Sequence, residues 1–204
     1  MTDGGIITGF YGKLPARGDF VRTGLPRAFT DPWDDWLRVV IAGSRTRMGE
    51  DWLPAYLESP VWRFFLPAGL CGASPAVGLM LPSMDKAGRY FPLTFAALCD
   101  ASDTTDAWLD RCEGAGFAAL EQDTPPDAIA AMIGQPEVAL RDRDAVGGLS
   151  CDSIWWTQGS PRVPESRLVL PGLPDIATYA SMLGETTEPV VTGPMEEASW
   201  ESQS

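Results

Sequence analysis

Gly78-Leu79-Met80-Leu81-Pro82-Ser83-Met84-Asp85-Lys86-Ala87-Gly88-Arg89-Tyr90-Phe91-Pro92-Leu93-Thr94 is the stretch that decides the fold. An apolar run is ended by proline, charges follow, and a second apolar run begins. Pro82 cannot donate to a sheet ladder. Gly88 supplies the backbone freedom that a tight turn needs. The pattern predicts strands over residues 76–81 and 91–98, joined by a hairpin-like turn that carries Asp85, Lys86 and Arg89. Both runs are almost continuously apolar, which suits central strands covered on both faces.

The neighbouring sequence extends this picture. Val61-Trp62-Arg63-Phe64-Phe65-Leu66 reads as another strand, with Arg63 alone among bulky apolar residues. A buried arginine needs a carboxylate, and Asp19 or Asp85 are its candidate partners. Ser153–Thr157 and Arg167–Leu170 read as two later strands, with Trp155 and Trp156 on opposite pleat faces. Either one of the two is exposed, or helices over both faces bury both tryptophans, the reading preferred here. Trp33, Trp36, Leu37, Val40 and Ile41 recur at helical spacing and predict a helix to about Met48. Thr30 or Asp31 would cap it, with Pro32 in its first turn. Shorter helices are expected over residues 52–57, 104–121, 125–132 and 174–183, with Ile176, Tyr179, Met182 and Leu183 of the last facing the core. Strands clustered without regular strand–helix alternation predict an α/β chain of the α+β type. It would be one domain with a central mixed or mostly antiparallel sheet flanked by helices. That domain spans residues 1–183, and residues 184–204 read as an acidic, mobile tail whose Trp200 could dock on it.

A second charged stretch echoes the turn. Gly9-Phe10-Tyr11-Gly12-Lys13-Leu14-Pro15-Ala16-Arg17-Gly18-Asp19-Phe20-Val21-Arg22 begins as a strand that Pro15 terminates. Lys13, Arg17, Asp19 and Arg22 then crowd one loop, a place where binding residues commonly sit on a rigid base. The alternative is an ion-pair cluster that fixes the turn. Together with Arg63, Asp85, Lys86 and Arg89, these residues form the candidate charged cluster, as one composite surface at the ends of adjacent strands. Arginine suits such a surface because its planar fork binds carboxylates and phosphates in a fixed geometry.

Composition narrows the chemistry. The 204 residues suffice for one substantial core, and 45% are hydrophobic. The chain contains no histidine, which removes Ser-His-Asp and Cys-His catalysis and histidine metal sites. Cys71, Cys99, Cys112 and Cys151 are widely spaced and read as buried reduced thiols. No glycine-rich nucleotide motif occurs, and no cofactor is expected. Asp19 and Asp85, with Lys13 and Lys86, offer the remaining route to acid/base chemistry, as a hydrolase or small-ligand site. Residues 1–100 hold ten Lys/Arg and ten Asp/Glu, whereas residues 101–204 hold five and eighteen, so the net charge of −13 lies in the second half. Such a surface disfavours nucleic acid and anionic lipid, and suits solubility or the steering of a basic partner. Neither a signal peptide nor an apolar run of about 18 residues is legible, so a cytoplasmic location without membrane insertion is expected.

Several of these stretches together resemble the TagF (also called ImpM) family of type VI secretion-associated proteins. They are Phe10–Pro15, Arg17–Phe20, Ser59–Phe64, Pro82–Asp85 with Gly88–Leu93, and Ile154-Trp155-Trp156. The resemblance spans roughly residues 8 to 183. It implies a cytoplasmic, non-enzymatic repressor that acts after translation. Such a protein would bind the forkhead-associated scaffold of the secretion system and block assembly, in a pathway linked to a threonine kinase and phosphatase.

Overall fold

The computed structural model describes residues 6–99, 106–136 and 152–185. Its described strands form one seven-stranded antiparallel sheet in the order β2-β1-β5-β4-β3-β6-β7. These are β1 Ile7–Gly12, β2 Val21–Thr23, β3 Trp62–Leu66, β4 Ala76–Leu81, β5 Leu93–Leu98, β6 Ser153–Thr157 and β7 Ser166–Leu170. The helices are α1 Arg27–Met48, α2 Trp52–Leu57, α3 Asp106–Glu121, α4 Pro126–Ile133 and α5 Ile176–Met182.

Pleat parity sorts the apolar residues into two cores. Trp62, Phe64, Leu66, Ala76, Met80, Ala96 and Trp155 face α1, α2 and the end of α5. Val77, Leu79, Leu81, Leu93, Phe95 and Ala97 face α3 and α4. The expected double coverage of β4 and β5 is what makes their sequences continuously apolar. On the α1 side Trp33 is fully buried, its ring 4.8 Å from Phe64 and 6.1 Å from Trp155, and its indole N–H donates to Thr94 Oγ1 at 3.0 Å. Phe64 requires the glycine opposite it. A Cβ built on Gly78 would stand 2.7 Å from the Phe64 ring and 2.1 Å from the Phe95 carbonyl oxygen.

Several boundaries differ from the expectation. Helix α1 begins at Arg27, so Pro32 lies inside it and neither Thr30 nor Asp31 caps it. Phe29 and Thr30 are buried, and only a helix already running at that point places them against the sheet. Pro32 gives up one backbone hydrogen bond in exchange. The N-terminal loop contains a further strand, β2, paired with β1. Ile176 is 37% exposed rather than core. Trp155 is fully buried, whereas Trp156 on the other face is only half-buried. Cys71, Cys99 and Cys112 are buried, and burial pushes the Cys71 thiol up to about 12. Cys151, the connection over residues 137–150, and the tail from residue 186 onward lie outside the described residues. Glu185, the last described residue, is tied to α1 through Arg47 Nε at 2.8 Å. No helix among the described residues is long and apolar enough to cross a membrane.

Candidate functional site

The sheet register brings the two charged loops together. Tyr11 pairs with Thr94, and Leu81 pairs with Leu93. The end of β1, the end of β4 and the start of β5 therefore lie side by side at one end of the sheet, and the loops that leave them touch. The Lys86 N–H donates to the Arg17 carbonyl at 2.9 Å, and Arg89 Nη2 donates to the Gly18 carbonyl at 2.7 Å. Ser83 ties the two strand ends, with its hydroxyl donating to the Lys13 carbonyl at 2.7 Å. Its own carbonyl accepts from the Tyr56 hydroxyl at 2.8 Å.

Asp85 is the centre of this joint. Its side chain is fully buried. One oxygen, Oδ2, accepts from the buried Lys13 ammonium and from Arg89 Nε at 2.7 Å. The other, Oδ1, accepts the backbone N–H groups of Ala87 and Arg89, each at 2.9 Å. The second of these donors is available because Gly88, at φ 75°, turns the chain back on itself. Burial alone would raise the Asp85 pKa. The Lys13 hydrogen bond and those from Arg89 outweigh it and hold the carboxyl well below the usual carboxylate range. Over this pair lies an aromatic layer. Phe20 stacks on Tyr11 at 5.5 Å, meets Phe91 edge-on at 4.8 Å, and receives the Lys13 ammonium 4.9 Å above its ring. The Tyr11 hydroxyl donates to Asp34 Oδ1 at 2.6 Å. Burial, and then this bond, push its pKa well above the ordinary phenol value.

Arg63 is not part of this joint. It alternates with Trp62 and Phe64, which face α1, so it points toward α3. There Nη2 donates to Asp110 Oδ1 at 2.6 Å and Glu113 Oε2 at 2.9 Å, not to Asp19 or Asp85. Burial opposes the charge of Arg63, but the bonds to Glu113 and Asp110 hold its pKa above the ordinary arginine value.

Two clefts flank Arg63. One, of 480 Å³, lies at the loop end of the sheet between Pro15, Pro60, Pro82, Met84 and the α3 residues Phe117 and Leu120. The other, of 870 Å³, runs over Phe65, Ile154 and Trp156 and is rimmed by Asp106, Asp110, Glu165 and Arg167.

Over residues 9–135 the chain matches the family model described as "TagF N-terminal domain, Type VI secretion system-associated". The chain belongs to the TagF N-terminal domain family. Among solved structures, PA0076 from Pseudomonas aeruginosa PAO1 is similar with a TM-score of 0.76 at 33% identity, covering 92% of this chain and 98% of that one. No functionally curated protein matches. The likeness to PA0076 therefore extends past residue 135, into the β6, β7 and α5 part of the TagF-family fold that the family match does not reach.

Within this TagF-family chain the eight cluster residues divide. Lys13, Asp85 and Arg89 form the joint. Arg63 stands apart on β3, paired with Asp110 and Glu113 of α3. Arg17, Asp19, Arg22 and Lys86 are exposed, and their side chains make no ion pair with another described residue. Arg17 and Lys86 rise from the joint itself, whereas Arg22 lies on the β2 edge, opposite Tyr11 in register. Sequence reasoning passed over Phe20, Met84 and Phe117. Met84 stands in a polar turn and Phe117 falls off the buried stripe of α3, and an apolar residue at a solvent position is the signal that could have found them.

Proposed function

We propose that this TagF-family chain is a cytoplasmic, non-enzymatic negative regulator of type VI secretion. It acts after translation by binding the forkhead-associated scaffold protein and blocking assembly. The observation that carries the binding surface is the division of the charged cluster. Lys13, Asp85 and Arg89 pair with one another and brace the two loops, while Arg17 and Lys86 are exposed beside that brace and make no ion pair with another described residue. A preformed cationic surface of this kind gains affinity and orientation at little ordering cost. A catalytic reading is disfavoured by the same geometry, because the one buried carboxylate of the joint already accepts from four donors and Asp19 is solvated.

The test is calorimetric titration of the chain with the purified forkhead-associated scaffold of its own secretion system at two salt concentrations. The proposal expects micromolar or tighter binding that weakens markedly as salt rises. Absence of heat together with absence of a complex on gel filtration would reject direct binding to the scaffold.

A further inference from the structure

The cleft of 870 Å³ lies on the face of the sheet that α3 and α4 share. Helix α3 packs on β4, and α4 packs on β1 and β2, whereas β6 and β7 form the opposite edge of the sheet. Phe65 pairs with Ile154, and Ile154 with Val169, so these three form one row on this face. Phe65 and Ile154 are half-buried and Val169 is 58% exposed. Trp156 stands in the next row, between Arg63 and Arg167, and is half-buried as well. Aliphatic and aromatic side chains left open together on one sheet face mark an interaction surface. The borders of this surface carry an excess of acid. The α3 side contributes Asp106 and Asp110, and the β7 side contributes Glu165 and Arg167. Arg63 is already held by Asp110 and by Glu113. With Glu113 included, four carboxylates stand against the two guanidinium groups of Arg63 and Arg167. Asp106 and Glu165 are exposed and make no ion pair with another described residue.

We infer that this cleft docks a segment of a partner protein in which lysine or arginine stands beside apolar residues. The apolar residues cover Phe65 and Ile154, and the cations lie over the Trp156 ring and against Asp106 and Glu165. Charge complementarity chooses this occupant at two ranges. The rim selects it locally, and the field of a chain with net charge −13 draws a basic segment toward the rim. A second copy of the chain would bring another −13 and the same acidic rim, and nucleic acid would bring phosphates, so both are repelled. Neither Arg17 nor Lys86 lines the cleft, so the inference goes beyond the regulator reading and stands independently of it.

The experiment is fluorescence anisotropy of the full chain with two labelled peptides. One has Leu and Phe anchors between Lys residues, and the other has Glu in place of Lys. The basic peptide is expected to bind about tenfold more tightly than the acidic one, and Glu165→Lys and Trp156→Leu are each expected to weaken it about tenfold. Glu121→Lys makes the same change in net charge at an exposed residue outside the cleft, and it should weaken binding less than about twofold. Glu165 and Glu121 are both exposed, so these two variants should keep the wild-type unfolding midpoint. Failure of the basic peptide to bind, or equal or tighter binding of the acidic one, would overturn the inference. Equal losses in Glu165→Lys and Glu121→Lys would reduce the effect to net charge and overturn it too. A dimer of the full chain in sedimentation that Glu165→Lys dissociates would give the cleft to a second copy instead. The Arg17→Glu/Lys86→Glu variant separates this surface from the regulator reading. It should not weaken the basic peptide, and loss of binding there would defeat the cleft, whereas failure of the scaffold to bind the wild type defeats the regulator alone.

Discussion

Lys13 and Arg63 are both cations with almost no exposed side chain, and both are held by carboxylates, yet the two arrangements differ in what they support. Lys13 meets one carboxylate, and that carboxylate is itself buried and shared with Arg89 and two backbone N–H groups. Arg63 meets two carboxylates that stand at the surface, Asp110 with 64% of its side chain exposed and Glu113 with 28%. In the first arrangement removing one group leaves a desolvated charge with nowhere to go. In the second the partners simply return to water. Equal numbers of ion pairs therefore carry unequal consequences, and burial of the acid decides which.

The largest effect should follow Asp85→Ala. It strands Lys13 and dissolves the turn, so the unfolding midpoint measured by circular dichroism should fall by on the order of 10 °C. If the fall matches that of a surface substitution, the joint is not a structural centre. The same residue sets an acid dependence. A carboxyl whose native pKa lies below its unfolded value stabilises the fold fully above the unfolded value, and this contribution is lost as pH falls through the native one. The stability gap between the wild type and Asp85→Asn should thus be complete above about pH 4 and narrow in more acidic solution. A gap that widens in acid would reverse the assignment.

Arg63→Met keeps the apolar stem and releases Asp110 and Glu113 to solvent, so a loss of about 1–2 kcal/mol in denaturant unfolding is expected. Asp110→Asn should cost about 0.5 kcal/mol or less, because Glu113 still holds Arg63 and Asp110 is largely solvated already. A cost for Asp110→Asn equal to that of Arg63→Met would show that the α3 pairing is as tightly coupled as the loop joint.

The same contrast explains what the sequence could reveal. The charged turn between β4 and β5 was legible because its chemistry is local. Pro82, Asp85, Gly88 and Arg89 lie within eight residues, and Asp85 finds most of its donors inside its own turn. The central strands were legible because residues covered on both faces must be apolar at every position. The partner of Arg63 was not legible, since its choice depends on which helix covers which face of β3. Asp110 and Glu113 share one side of α3 by helical spacing, but nothing near them in sequence points to a strand some fifty residues earlier. Strand β2 was hidden for a related reason. Val21-Arg22-Thr23 is only three residues long, and its identity as a strand comes from pairing with β1. The start of α1 was displaced from its proline signal because burial of Phe29 and Thr30 outweighs one lost backbone bond at Pro32. The site was legible in its charges and not in its apolar half, where Met84 and Phe117 become neighbours only through the fold.

The central claim is that the buried part of the charged cluster holds the loops and the exposed part meets the partner. One titration tests it most directly: calorimetry of the Arg17→Glu/Lys86→Glu double variant against the forkhead-associated scaffold, with the unfolding midpoint recorded on the same sample. The account predicts an unchanged midpoint and affinity reduced at least about tenfold. Wild-type affinity, or a midpoint that falls with the affinity, would contradict it.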